Sequence, residues 1–127
     1  MSESGARKIL VVDDEPTVRQ SIREALAAEG TRVDSVASGE DALRLEGVEE
    51  YGLIIADLMM PGLSGLDLLR KLRERGSSAR VVVVTGYPTL LMAQQAVKMG
   101  AFEFLAKPFT PADLRAMVER AFAAAKD

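Results

Sequence analysis

Ile9-Leu10-Val11-Val12-Asp13-Asp14-Glu15-Pro16 is the stretch on which the fold turns. Its apolar half is short, largely β-branched and free of polar alternation, which suits a strand covered on both faces, as in a parallel sheet with helices above and below. The two carboxylates close the strand. Asp14-Glu15-Pro16 then opens a helix, because proline is tolerated in a first turn where its missing N–H costs nothing. The same grammar returns in Leu53-Ile54-Ile55-Ala56, followed by Asp57, and in Val81-Val82-Val83-Val84, followed by Thr85. Two weaker strands are expected: Arg32 to Val36, which alternates like an edge strand, and Phe102 to Ala106, which follows Gly100 and stops before Pro108.

Helical periods fill the gaps between these runs. Val18, Ile22, Ala25 and Leu26 mark the buried face of a first helix that ends by Gly30, and Ser38 precedes a short second helix over Glu40 to Leu45. Leu66, Leu69 and Leu72 mark a third. Leu90, Ala93, Ala96 and Val97 mark a fourth before Gly100, and Leu114, Val118, Ala121, Phe122 and Ala125 a fifth. Five strands alternating with five helices predict an open α/β fold whose mostly parallel sheet has right-handed crossovers.

Composition narrows the chemistry. A chain of 127 residues makes one domain with a genuine core, and a net charge of −3 offers no field for a nucleic-acid backbone or an anionic membrane. The apolar runs fall far short of the roughly 18 residues a membrane span needs. Without cysteine there are no disulfides, thiol nucleophiles or thiolate metal sites; without histidine the commonest general base and metal ligand are missing as well. Carboxylate, hydroxyl and lysine chemistry remains, with Mg²⁺ as the natural metal. The segment Met1 to Arg7 is polar and lacks the apolar core of a signal peptide, so a cytoplasmic location is expected.

In sheets of this kind the chemistry gathers beyond the carboxyl ends of the strands. There the sequence places Asp13 and Asp14, Asp57, Thr85 and Lys107. Taken singly, an aspartate caps a helix, a threonine ends a strand and a lysine reaches for water. Together at four strand ends they predict one crevice. Two carboxylates about 5 Å apart repel by very roughly 3 kcal/mol at an effective dielectric near 20, so the cluster makes sense if Lys107 and a divalent cation offset it.

These segments, together with Asp57-Leu58-Met59-Met60-Pro61-Gly62-Leu63-Ser64-Gly65, Thr85-Gly86, Lys98-Met99-Gly100-Ala101 and Phe104-Leu105-Ala106-Lys107-Pro108-Phe109, resemble the receiver domain of bacterial two-component response regulators, in order and spacing, over about residues 7 to 125. The resemblance implies a doubly wound, flavodoxin-like (βα)5 fold with strand order 2-1-3-4-5, a tail over residues 1–6 and a receiver domain over 7–127. It implies that Asp57 accepts a phosphoryl group from a histidine of a sensor kinase or phosphotransfer protein. Asp14, Asp57 and the Met59 carbonyl would ligate Mg²⁺, with Asp13 acting through a bound water. Lys107 and Thr85 would hold phosphoryl oxygens. The product would be a conformational switch acting on an output domain or homodimer through the fourth helix, fifth strand and fifth helix, and not a turnover enzyme.

Smaller expectations follow from the same likeness. The bond before Pro108 would be cis, and Phe104, otherwise a core aromatic, would turn inward as Thr85 moves. Met60-Pro61-Gly62 and Gly65 would shape the phosphorylation loop, while Met59 and Tyr87 would flank the path of the hydrolytic water. Gly52 departs from the pattern, standing where many relatives carry an acidic residue. The arginines at 19, 23, 70, 73 and 75 read as solvated helix faces. The competing reading is a phosphohydrolase with an aspartyl nucleophile, but its second aspartate would fall at position 59, which is methionine. A binding-only receiver would not need the full cluster.

Overall fold

The computed structural model describes residues 7–28, 30–86 and 89–124. The expected tail over residues 1–6, Ala125 and Tyr87 therefore lie outside the described residues. Five strands, β1 (Arg7–Val12), β2 (Thr31–Val36), β3 (Leu53–Asp57), β4 (Arg80–Thr85) and β5 (Glu103–Ala106), form one sheet in the order β2-β1-β3-β4-β5 with every pairing parallel. Helices α1 (Pro16–Leu26), α2 (Gly39–Arg44), α3 (Gly65–Glu74), α4 (Leu90–Lys98) and α5 (Pro111–Ala124) alternate with them, and a 3₁₀ turn, Val48–Glu50, precedes β3.

The central strands β1, β3 and β4 are buried on both sides, which explains their uninterrupted apolar runs. Successive side chains of a strand point to opposite faces. Leu10, Val12, Ile54, Ala56, Val81 and Val83 meet Leu68, Leu69 and Leu72 of α3 and Ala96 of α4 on one side. Ile9, Val11, Leu53, Ile55, Val82 and Val84 meet Ile22 and Leu26 of α1 and Leu114, Met117, Val118 and Ala121 of α5 on the other. Each fully buried Val, Leu or Ile among them contributes about 1.5–3 kcal/mol, so the central strands anchor the domain.

Local chemistry sets the helix starts. The Ser38 hydroxyl accepts from the Asp41 amide, and Thr89 does the same for Met92. Ser64 and Asp67 exchange reciprocal side-chain to backbone hydrogen bonds at the start of α3, as do Thr110 and Asp113 at α5. Helix α1 has no side-chain cap and relies on Pro16 in its first turn.

Two expectations need correction. In α4, Leu90 and Val97 are 75% and 70% exposed; the face that packs on the sheet is Met92, Ala96 and Met99, with spacings of four and three. Several arginines are more than solvated helix face. Arg73 donates to the carbonyls of Ser77, Ala79 and Gly100, Arg75 to that of Leu43, and Arg19 to that of Asp13; Arg70 pairs with Asp67, and Arg23 is exposed. Gly52 has a local reason: a Cβ there would lie 2.6 Å from the Phe122 ring, which occupies the space. Among the described residues no helix is long and apolar enough to cross a membrane.

Candidate functional site

The strands deliver the predicted residues to one crevice. Asp13 directly follows β1, and its amide donates to the Val36 carbonyl of the neighbouring strand at 3.2 Å. Asp57 is the last residue of β3 and Thr85 the last of β4. Lys107 follows β5, and its amide donates to the Thr85 carbonyl at 2.7 Å, which fixes the direction in which its side chain leaves the sheet. The Lys107–Pro108 peptide is cis.

Asp13, Asp57 and Thr85 are 1%, 5% and 0% exposed, the buried charged or polar residues among those described. Asp14 is exposed. Lys107 Nζ lies 3.1 Å from Asp57 Oδ2 and 3.3 Å from Asp13 Oδ2 and so spans the two buried carboxylates. Their other oxygens are met by main-chain amides: Glu15 N–H donates to Asp13 Oδ1 at 2.9 Å and Met59 N–H to Asp57 Oδ1 at 3.0 Å. Asp13, Asp14 and Asp57 each place a carboxylate oxygen within 4.8 Å of the others.

This grouping is overfull of negative charge. Burial pushes the Asp13 carboxyl above the ordinary carboxylate range; the Glu15 amide and Lys107 work against that shift, and the charge of Asp57 adds to it. Burial alone would pull Lys107 down, but its hydrogen bond to Asp57 and the charge of Asp13 outweigh that and hold its ammonium above its usual value. Three carboxylates facing one ammonium, all hard oxygen donors, fit a divalent cation such as Mg²⁺.

The loop after Asp57 is pressed close to it. Leu58 N–H donates to the Val84 carbonyl at 2.7 Å, and Gly65 N–H to the Leu58 carbonyl at 3.4 Å. Met59, whose amide meets Asp57, has a residue exposure of 51%. Phe104 is half-buried against the α3 and α4 side of the core, opposite Val83 in the β4–β5 register. Period two places Thr85 on that same face.

One residue at the site was not foreseen as part of it. Arg19, from the second turn of α1, reaches back so that its Nη1 donates to the Asp13 carbonyl at 2.7 Å. The six-residue spacing from Asp13 was the available signal, and it is a weak one, because a helix surface offers many arginines with no such target.

The family model of the response regulator receiver domain matches residues 9–119. Among curated proteins, the C4-dicarboxylate transport transcriptional regulatory protein DctD of Pseudomonas aeruginosa is 36% identical over 90% of this chain, which spans 25% of the length of DctD. Sporulation initiation phosphotransferase F of Bacillus subtilis is 32% identical, with 89% of this chain and 91% of that protein covered. Among solved structures, a response regulator receiver domain protein from Clostridium thermocellum superposes with a TM-score of 0.86 at 38% identity, covering 94% of this chain and 97% of that one.

Proposed function

This chain belongs to the receiver domains of two-component response regulators, and from that we propose that Asp57 is the side chain that carries the phosphoryl group. The observation that supports this most directly is the position of Lys107 across Asp13 and Asp57, at the carboxyl ends of the strands and beside a third carboxylate. The receiver unit on this reading is residues 7–127, acting in the cytoplasm.

The donor is a phosphohistidine of a sensor kinase or phosphotransfer protein. A carboxylate oxygen of Asp57 attacks phosphorus; the phosphorus–nitrogen bond breaks, and its electron pair returns to the donor imidazole. Asp57 is preset for this, because the Met59 amide and Lys107 each hold one of its oxygens and leave little rotational freedom to lose. Lys107 then holds a phosphoryl oxygen, and the Thr85 hydroxyl donates to another. Asp14, Asp57 and the Met59 carbonyl would hold Mg²⁺, with Asp13 acting through a water. The ion would supply neutralisation of the charge gathered on the phosphoryl oxygens.

The movement of Thr85 toward the phosphoryl group and of Phe104 behind it is the proposed route to the face built from α4, β5 and α5. Exposed Leu90, Leu91 and Val97 support that face as the place where an output domain or a second copy is engaged. The proposed role is a phosphoacceptor switch. Incubation with acetyl phosphate and Mg²⁺ followed by intact-mass measurement tests it: the wild type gains one phosphoryl group and Asp57→Asn gains none. Uptake by the variant at the wild-type rate overturns Asp57 as the acceptor, and turnover of the donor without an adduct favours the phosphohydrolase reading.

A further inference from the structure

The three carboxylates of the crevice are not held alike. Asp13 is gripped at one oxygen by the Glu15 amide and at the other by Lys107, and Asp57 is gripped in the same way by the Met59 amide and Lys107. Asp14 is exposed, and its carboxylate takes no hydrogen bond or ion pair from the described residues. Its oxygen nevertheless sits within 4.8 Å of the other two. Its direction is therefore set by the main chain from Asp13 to Glu15.

Arg19 holds both ends of that segment. Its amide donates to the Glu15 carbonyl at 3.1 Å, and its guanidinium donates to the Asp13 carbonyl at 2.7 Å. The first is an ordinary helical bond that any residue but proline makes. The second needs a long, charged donor, and charge-assisted hydrogen bonds are the strong ones. The half-buried Arg19 side chain is thus spent on one main-chain oxygen, next to the residue whose aim depends on the main chain.

We propose that Arg19 is a positioning residue: by holding the Asp13 carbonyl with its guanidinium and the Glu15 carbonyl with its amide, it fixes the Asp13–Asp14 and Glu15–Pro16 peptides at the two ends of the segment that carries Asp14, and so aims that carboxylate at the cation beside Asp57. The inference rests on the reading of the acidic cluster as a Mg²⁺ site. Its sign separates it from a simple charge effect. A guanidinium near three carboxylates repels a divalent cation, so through-space electrostatics alone would make its removal tighten Mg²⁺ binding. Loss of positioning makes its removal weaken it.

The test is calorimetric titration of the full chain with Mg²⁺ alone, together with amide exchange of Glu15 in metal-free protein. Arg19→Met keeps the apolar stem and removes the donor; the Mg²⁺ dissociation constant should rise about tenfold, the lower end of the worth of one hydrogen bond to a charged group, and the Glu15 amide should exchange several times faster. Arg19→Gln, a second variant with a shorter neutral donor, should move both readouts the same way. Arg19→Lys, which restores a charged donor, should recover most of the affinity. Unchanged or tighter Mg²⁺ binding in Arg19→Met and Arg19→Gln overturns the proposal, as does Glu15 exchange at the wild-type rate. If the wild type itself binds no Mg²⁺, the metal-site reading fails, and the exchange rates alone decide whether Arg19 holds the segment.

Discussion

A Cβ on Gly65 would lie 2.7 Å from the carbonyl oxygen of Asp57 and 3.2 Å from Cα of Leu58. Both neighbours are main chain, so neither can swing aside. Gly65 is where α3 begins, and its lack of a side chain lets that helix start directly against the end of β3. Gly65→Ala should destabilise the domain by about 1–3 kcal/mol, the usual cost of overpacking, and should slow phosphoryl uptake because relief comes by displacing Asp57. Urea unfolding together with intact-mass kinetics checks both. Wild-type stability and uptake would show that the loop can absorb the methyl group.

Mg²⁺ should raise the unfolding temperature of the wild type, because a ligand bound only by the folded chain stabilises it and this one also relieves carboxylate repulsion. In Asp14→Ala the rise should shrink sharply. Thermal melts across a Mg²⁺ series decide the matter, and equal rises in the two proteins would remove Asp14 from the site.

Far from the crevice, the buried Tyr51 hydroxyl donates to Asp34 Oδ2 at 2.6 Å. Burial, then the hydrogen bond and charge of Asp34, push the Tyr51 phenol up from 10.0 to about 12. A raised folded value means that this stability is fully present below pH 10 and is lost as pH rises through about 12. Tyr51→Phe should cost about 1 kcal/mol near pH 8, and the gap to the wild type should close over that alkaline window. Denaturant unfolding at a series of pH values measures it; a gap constant through pH 12 would contradict the coupling.

The Met59 side chain, half exposed two residues beyond Asp57, is only a weak hydrogen-bond acceptor. Met59→Asn should speed loss of the phosphoryl group severalfold, since one hydrogen bond that orients the attacking water is worth about 1 kcal/mol. Mg²⁺ affinity should change little if the ligand at position 59 is the main-chain carbonyl. Dephosphorylation followed at saturating Mg²⁺ is the measurement, and an unchanged or slower rate would refute the role.

The sheet and crevice were legible because burial on both faces leaves an unbroken apolar run, and the residue ending each run needs no knowledge of packing to be placed. Helix α4 was harder to read. Leu90, Leu91, Met92, Ala93, Ala96, Val97 and Met99 give apolar residues on nearly every side, so the pattern has no single phase, and the sheet selects Met92, Ala96 and Met99. Gly52 and Phe122 explain each other only once α5 lies across the start of β3, a contact between residues far apart in the chain. The grip of Arg19 on Asp13 was hidden for a related reason: its target is a main-chain oxygen, which leaves no mark in a sequence.

The bonds from Lys107 to Asp57 and Asp13 close loops of 50 and 94 residues. The two buried carboxylates stand at the ends of β1 and β3 in the middle of the sheet, while the ammonium that offsets them comes from beyond β5 at its edge. Without β5 in place the sheet would have an uncompensated acidic end. β5, four residues paired to β4 alone, brings both the offsetting charge and the last piece of the crevice. The charge balance of the whole cluster therefore hangs on the edge strand, so loosening of β5 would unbalance the crevice while leaving the central strands paired.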